Sequence, residues 1–331
     1  MSDSELLSKD KIESICRNVP DIEPMEQLRL KVKKRTKTFI LTSIIIAAVL
    51  ISALILLKPD SRAPGLAVAS VFALILGLLI FYFVAVSPVL SKLKTKFKEN
   101  IIKYYISSIL PGSHYEPEKY HNLSEYYESL LFMIDVDRHS GENYVKGVFD
   151  KTELSFSFMH TEYKQVEHTK NGQKVTWHTI FKGVFLCADS NKNFKGKTII
   201  LPDTAEKYLG GFGKWLQRHS GNTVGELVYM ENVKFEKEFV VYSTDPVEAR
   251  YLITPKIQEQ IFHIKNLLKK DLRLSFVNNR VFIAISRDDI FKLNTSLSFK
   301  NPETLRYYMK DIIELLTLIH LLDLNIRIWG R

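Results

Sequence analysis

Cysteine is nearly missing from this chain, with Cys16 and Cys187 the two examples among 331 residues. Set 171 positions apart, they exclude a disulfide framework and a zinc site built on cysteine. Proline and glycine are sparse as well, 11 and 14 residues, which excludes a collagenous or low-complexity chain, and no repeat recurs at solenoid periods. Acid is the minority sign, 37 Asp plus Glu against 46 Lys plus Arg, for a formal net charge of +9. What is abundant is apolar: 46% hydrophobic and 11% aromatic residues exclude disorder and supply a core for one large or two ordinary domains.

A basic balance invites a nucleic-acid reading, so the position of the charge decides. Arg29 to Lys37 (RLKVKKRTK) holds six cations and Lys92 to Lys98 (KLKTKFK) four, together more than the whole net charge. Residues 99–331 retain only about +2. The main domain is nearly neutral, and no nucleic-acid partner is expected.

Between the basic runs lie two uncharged stretches, Phe39 to Leu57 and Gly65 to Val86, of 19 and 22 residues. As helices rising about 1.5 Å per residue, each spans a hydrocarbon core of about 30 Å. A cleavable signal is a poor fit, because the first stretch starts at position 39, behind an acidic leader. The link Lys58 to Pro64 is short and carries +1, so the positive-inside rule places both basic flanks, and both termini, in the cytoplasm. The expected order is a cytoplasmic segment (1–38), transmembrane helices at 39–57 and 65–86 joined by an external turn (58–64), a juxtamembrane helix (87–111) bent at Pro88, and a cytoplasmic domain (112–331). The basic flanks face anionic lipid as a second consequence. Neither spanning helix holds an ionisable residue, which argues against a transporter subunit. Ala69, Ala73 and Gly77 recur every four residues, a pattern that permits a homo-oligomer through the second helix.

From Tyr144 the hydrophobic period becomes two. Asn171-Gly172 marks a hairpin turn. Centring the turn there sets Phe156 opposite Cys187, Phe158 opposite Phe185, His160 opposite Gly183, Glu162 opposite Phe181 and Val166 opposite Trp177. Further strands are expected at Tyr144–Phe149, Thr198–Leu201, Glu226–Met230, Lys237–Tyr242, Arg273–Val277, Val281–Ile285 and Asn325–Trp329. Helices are announced at Leu123 to Phe132 and by caps at Asp203, Thr254-Pro255 and Asn301-Pro302. The fold class is α+β: a transmembrane helical hairpin followed by a mainly antiparallel cytoplasmic sheet with capping helices.

Candidates for chemistry are few. The histidines from His121 onward contain no HExxH, so zinc-protease spacing is absent and neither metal nor cofactor is called for. His160 reads as a hydrogen-bonded core residue. The glycines of Leu209 to Lys214 (LGGFGK) lack phosphate-loop spacing and read as a helix stop. Cys187 reads as a free, buried thiol in a reducing compartment. One cluster stands out: Ser243, Asp245, Glu248 and Arg250 lie within eight residues and could supply a nucleophile, a base and an oxyanion partner, with His263 the nearest histidine in the following sequence. The same residues also fit a capping box, with Asp245 as N-cap, Pro246 at N1, Glu248 at N3, and Arg250 paired with a carboxylate.

Five segments, WHTIFKGVFLCADSNKNFKG (Trp177 to Gly196), FKGKTIILPD (Phe194 to Asp203), FVVYSTDPVEARYLITP (Phe239 to Pro255), LSFVNNRVFIAI (Leu274 to Ile285) and LNIRIW (Leu324 to Trp329), give the chain its resemblance. Over roughly residues 90 to 331 it resembles the bacterial domain-of-unknown-function family 3137. That resemblance implies a membrane-anchored protein of the bacterial cytoplasmic membrane and brings no reaction, cofactor or catalytic residue. It also implies a LemA-like membrane protein as a partner. The sequence therefore supports a cytoplasmic interaction or scaffolding module on a membrane hairpin, against the alternative of a membrane-tethered hydrolase using Ser243, Asp245, Glu248 and Arg250.

Overall fold

The structure, a computed structural model, describes residues 9–56, 64–149, 151–169, 172–190, 193–203 and 225–321. It divides into two compact units, one comprising Ile106–Ile290 with the residues from Lys310 onward, the other Lys9–Tyr105 with Phe291–Met309. Each is treated in turn.

The first unit is α+β. Nine antiparallel strands form one sheet in the order β1-β2-β3-β4-β9-β8-β5-β7-β6. They are β1 (His114–Glu116), β2 (Arg138–Phe149), β3 (Thr152–Thr169), β4 (Gly172–Asp189), β5 (Thr198–Pro202), β6 (Glu226–Leu227), β7 (Phe239–Ser243), β8 (Leu272–Val277) and β9 (Arg280–Ser286). One face carries Met159, Phe185, Cys187, Ile199, Tyr242 and Phe282, packed with Tyr126 and Phe132. The alternate residues Phe156, Val184, Leu186, Leu274 and Ile283 are buried too, so the central sheet is covered on both sides.

That double burial corrects the expected hairpin register. Phe156 pairs with Leu186, Phe158 with Val184 and His160 with Lys182, one residue away from the turn-centred expectation. A bulge between Thr161 and Glu162 then shifts the pairing again, so that Glu162 faces Thr179 and Val166 faces Val175, and the ladder closes at Thr169 and Gly172. Where both faces are apolar, alternation does not specify register. Gly183 instead lies against β9 so closely that a Cβ there would meet the Ile285 carbonyl oxygen at 2.0 Å. His160 is correspondingly no core residue: it is partly exposed, with Nε2 3.2 Å from Thr179 Oγ1.

The remaining strands fall where expected, with β6 shorter and β2 longer at its start. The helices Leu123–Glu128, Val233–Glu236, Pro246–Leu252, Pro255–Leu268 and Pro302–Leu321 complete the described elements after β1. Thr254 Oγ1 accepts from Ile257 N at 3.4 Å, and Asn301 Oδ1 accepts from Glu303 N at 3.0 Å, as their capping sequences require. The last strand, the Asp203 helix beyond its first residue, and the Leu209 to Lys214 glycines lie outside the described residues.

The second unit is helical. Here α1 is Lys9–Arg17, α2 is the 35-residue Ile22–Leu56 and α3 is Pro64–Phe81; a π-helical turn, Tyr82–Val86, leads into α4 (Ser87–Lys96). Pro88 offers no N–H to the preceding turn, the helix widens before it, and Arg35 Nη1 donates to the Ala85 carbonyl at 2.6 Å. Phe39 stacks on Phe81 with ring centroids 6.0 Å apart. The stretch Val71–Ile109 is long and apolar enough to cross a membrane.

At the base of this unit Glu26 and Arg29 are 4% and 5% exposed and form a two-point ion pair, 2.6 and 2.9 Å. Glu26 also accepts from Phe299 N at 3.0 Å and Ser298 Oγ at 2.9 Å, and Arg29 donates to Thr295 O at 3.0 Å. The Arg29 guanidinium holds the Glu26 carboxyl down at about 2, so its stabilisation is complete above its ordinary 4.5 and is lost as pH falls toward 2. Glu26→Ala leaves a buried cation without its carboxylate and should cost about 3–5 kcal/mol at neutral pH. Unfolding of the detergent-solubilised chain checks this; an unchanged midpoint contradicts it.

Candidate functional site

The cluster singled out by sequence sits where β7 ends and the short helix Pro246–Leu252 begins. Asp245 has extended backbone, and its Oδ1 accepts from Val247 N at 3.1 Å and Glu248 N at 3.0 Å, a helix N-cap followed by proline at N1. Glu248 does not close a capping box. Its two oxygens reach across the fold and accept from Lys195 N at 3.0 Å and Gly196 N at 2.6 Å. Thr244 Oγ1 accepts from Lys197 N at 2.8 Å in the same seam. Gly196 is required here, since a Cβ would stand 2.7 Å from that of Asp245.

Ser243 is fully buried. Its hydroxyl lies 3.0 Å from Thr198 Oγ1, accepts from Asp245 N at 3.1 Å and donates to Asp245 O at 3.0 Å. Arg250 is exposed and, among the described residues, pairs with neither carboxylate, which corrects the expected ion pair. His263 is exposed on the following helix. The structure sets Ser243, Asp245 and Glu248 side by side as a clamp, in which the Ser243 hydroxyl, Asp245 Oδ1 and both Glu248 oxygens are engaged by the backbone.

A second polar cluster escaped the sequence reading. Buried His121 places Nδ1 2.8 Å from Ser157 Oγ and Nε2 2.9 Å from Ser155 Oγ, and its own N–H donates to Ser157 Oγ at 3.1 Å. Ser155 and Ser157 are two apart on β3 and so share a face, about 7 Å apart, a gap an imidazole can bridge. The available signal was this serine alternation within an apolar strand, although nothing local named the histidine. Burial drives the His121 pKa down to about 3, and it pushes the Cys187 thiol up to about 12. Both cysteines are free and buried. No group of three or more His, Cys, Asp or Glu side chains is placed to hold a metal among the described residues.

A cleft of about 630 Å³ is lined by Lys182, Glu238, Lys265, Asp271, Arg287 and Asp288 among others. Three of its cations are paired, Lys265 with Glu238, Lys182 with Asp288 at 3.8 Å and Arg287 with Asp311 at 2.6 Å, while Lys269 and Lys270 also line it.

Fold and cluster therefore define an α+β domain with a broad antiparallel sheet and no assembled reaction centre among the described residues. Residues 179–324 match the family described as protein of unknown function (DUF3137). Comparison with curated proteins finds no match. Among solved structures, the crystal structure of the mycobacterial trehalose monomycolate transport factor A, TtfA, aligns over 68% of this chain and 96% of its own at 11% identity. Its TM-score is 0.35, and at that level the likeness carries no argument.

His121 gives a pH test. The folded chain binds no proton at this ring between its ordinary 6.5 and about 3, whereas the unfolded chain does. Stability at this site should therefore fall by about 1.4 kcal/mol per pH unit as pH drops below 6.5. Denaturant unfolding of wild type and His121→Gln between pH 4 and 8 should show that difference in slope; parallel profiles refute a buried neutral histidine.

Proposed function

We propose that the chain is a multi-pass protein of the bacterial cytoplasmic membrane, anchored by a helical hairpin at 39–57 and 65–86, with both termini cytoplasmic. Its α+β domain acts by binding a partner and not by turning over a substrate. The observation that carries the binding reading is the clamp: Asp245 Oδ1 and both Glu248 oxygens accept from backbone N–H groups, and Ser243 is closed in the interior.

Three features support the anchor. Large apolar side chains along both helices, among them Ile44, Val49, Phe72, Ile75 and Phe83, are exposed, an arrangement water disfavours and lipid does not. The Phe39–Phe81 and Arg35–Ala85 contacts match low positions on one helix with high positions on the other, as an antiparallel hairpin requires. The apolar stretches are flanked by the two cationic runs. On this reading the partner is a membrane protein, LemA-like as the family resemblance implies, or a second copy meeting the exposed Ala69, Ala73 and Gly77.

Two measurements test it together. A compartment-sensitive reporter fused after Arg331 should be active only in the cytoplasm, and activity outside overturns the topology. Crosslinking in native membranes followed by mass spectrometry should capture a defined membrane-protein partner; a chain that crosslinks to nothing while hydrolysing an ester or amide substrate overturns the binding role.

A further inference from the structure

The six cations of Arg29 to Lys37 are not equivalent. Arg29 is held by Glu26 and Thr295 O, and Arg35 by Ala85 O, so both arginines serve the fold. Lys33, Lys34 and Lys37 do not. With Leu30, Thr38 and Leu41 they line a shallow groove of about 370 Å³ on a single face of α2, as a spacing of three and four residues dictates. No ion pair engages any of the three among the described residues, and the chain holds no acid from Gln27 to Pro59. Like charges three and four apart on a helix repel, which disfavours the face unless an anion lies on it.

The groove's ends are apolar. Leu30 is 48% exposed and Leu41 59%, and the exposed Ile44 and Ile45 continue the same face past Leu41 into the uncharged stretch. Lys33 stands six residues before Phe39, about 9 Å along the axis. On the membrane reading all three ammonium groups then lie in the headgroup layer, and Leu41 opens onto the acyl region. A free phosphate would use only the cations; a lipid uses the cations and the apolar end.

We propose that this face of α2 is a binding site for an anionic phospholipid, its phosphate held by Lys33, Lys34 and Lys37 and one acyl chain lying along Leu41 and Ile44. The site rests on the membrane anchoring proposed above. Lys92 and Lys94 of the second basic run are equally exposed but do not line this groove.

The test uses the full chain released in detergent and titrated with phosphatidylglycerol or phosphatidylcholine, bound lipid being counted by native mass spectrometry. Phosphatidylglycerol should be preferred. Lys33→Gln/Lys34→Gln should weaken its binding about thirtyfold, whereas Lys92→Gln/Lys94→Gln should leave it within about twofold. Equal loss in both variants, no preference over phosphatidylcholine, or displacement by millimolar inorganic phosphate each overturns the site. Alkaline carbonate extraction separates this failure from that of the anchor: a chain that stays in the membrane but shows no preference loses only the lipid site. Should the double variant not insert, Lys34→Gln alone should weaken binding about fivefold, and an unchanged affinity overturns the proposal.

Discussion

Every backbone N–H and C=O removed from water must find a partner, and this constraint accounts for most of the charged side chains placed inside the fold. Glu26 takes the N–H of Phe299, and Arg29 the carbonyl of Thr295. Arg35 takes the Ala85 carbonyl at the π turn, Glu248 takes two N–H groups at Lys195 and Gly196, and Arg273 donates to Leu131 O. Each joins segments that secondary structure leaves unpaired. A charge aimed at the backbone in this way is positioned, desolvated and unavailable to a substrate. The clustering of Ser243, Asp245 and Glu248, suggestive as a list of residue types, follows from an irregular strand entry at 194–198 that needs donors satisfied.

The same constraint organises the helical unit. The loop around Thr295 to Phe299 has no ladder of its own, yet Phe299 is fully buried and its ring lies 6.2 Å from that of Phe97. The Glu26–Arg29 pair makes that burial possible by supplying a carboxylate to the loop's N–H and a guanidinium to its carbonyl. Segment Phe291–Met309 thereby belongs to the unit of Lys9–Tyr105, although more than 180 residues of sequence separate the two.

Much of this was legible in the residues and some was not, for identifiable reasons. Caps at Asp245, Thr254 and Asn301 are local and could be read directly, as could the strands at 198–201 and 281–285 and the two uncharged stretches. The β3–β4 register was missed by one residue because Leu154 to Met159 are buried on both faces, and again near Glu162 because a bulge intervenes. β1 is three residues long and carries no period. The reach of Glu248 to Lys195 and the bridge of His121 to Ser155 and Ser157 are long-range contacts, invisible to any local pattern. Asp245 showed the opposite case, with a local reading that sufficed.

Amide hydrogen exchange on the full-length chain tests the central claim, that the Glu26 and Glu248 carboxylates act as backbone partners. Lys195, Gly196 and Phe299 lie in irregular segments and should nevertheless exchange as slowly as neighbouring strand amides, with Glu248→Gln accelerating the first two and Glu26→Gln the third. Exchange at those amides that is already fast in the wild-type chain, or unaffected by either substitution, would contradict the account.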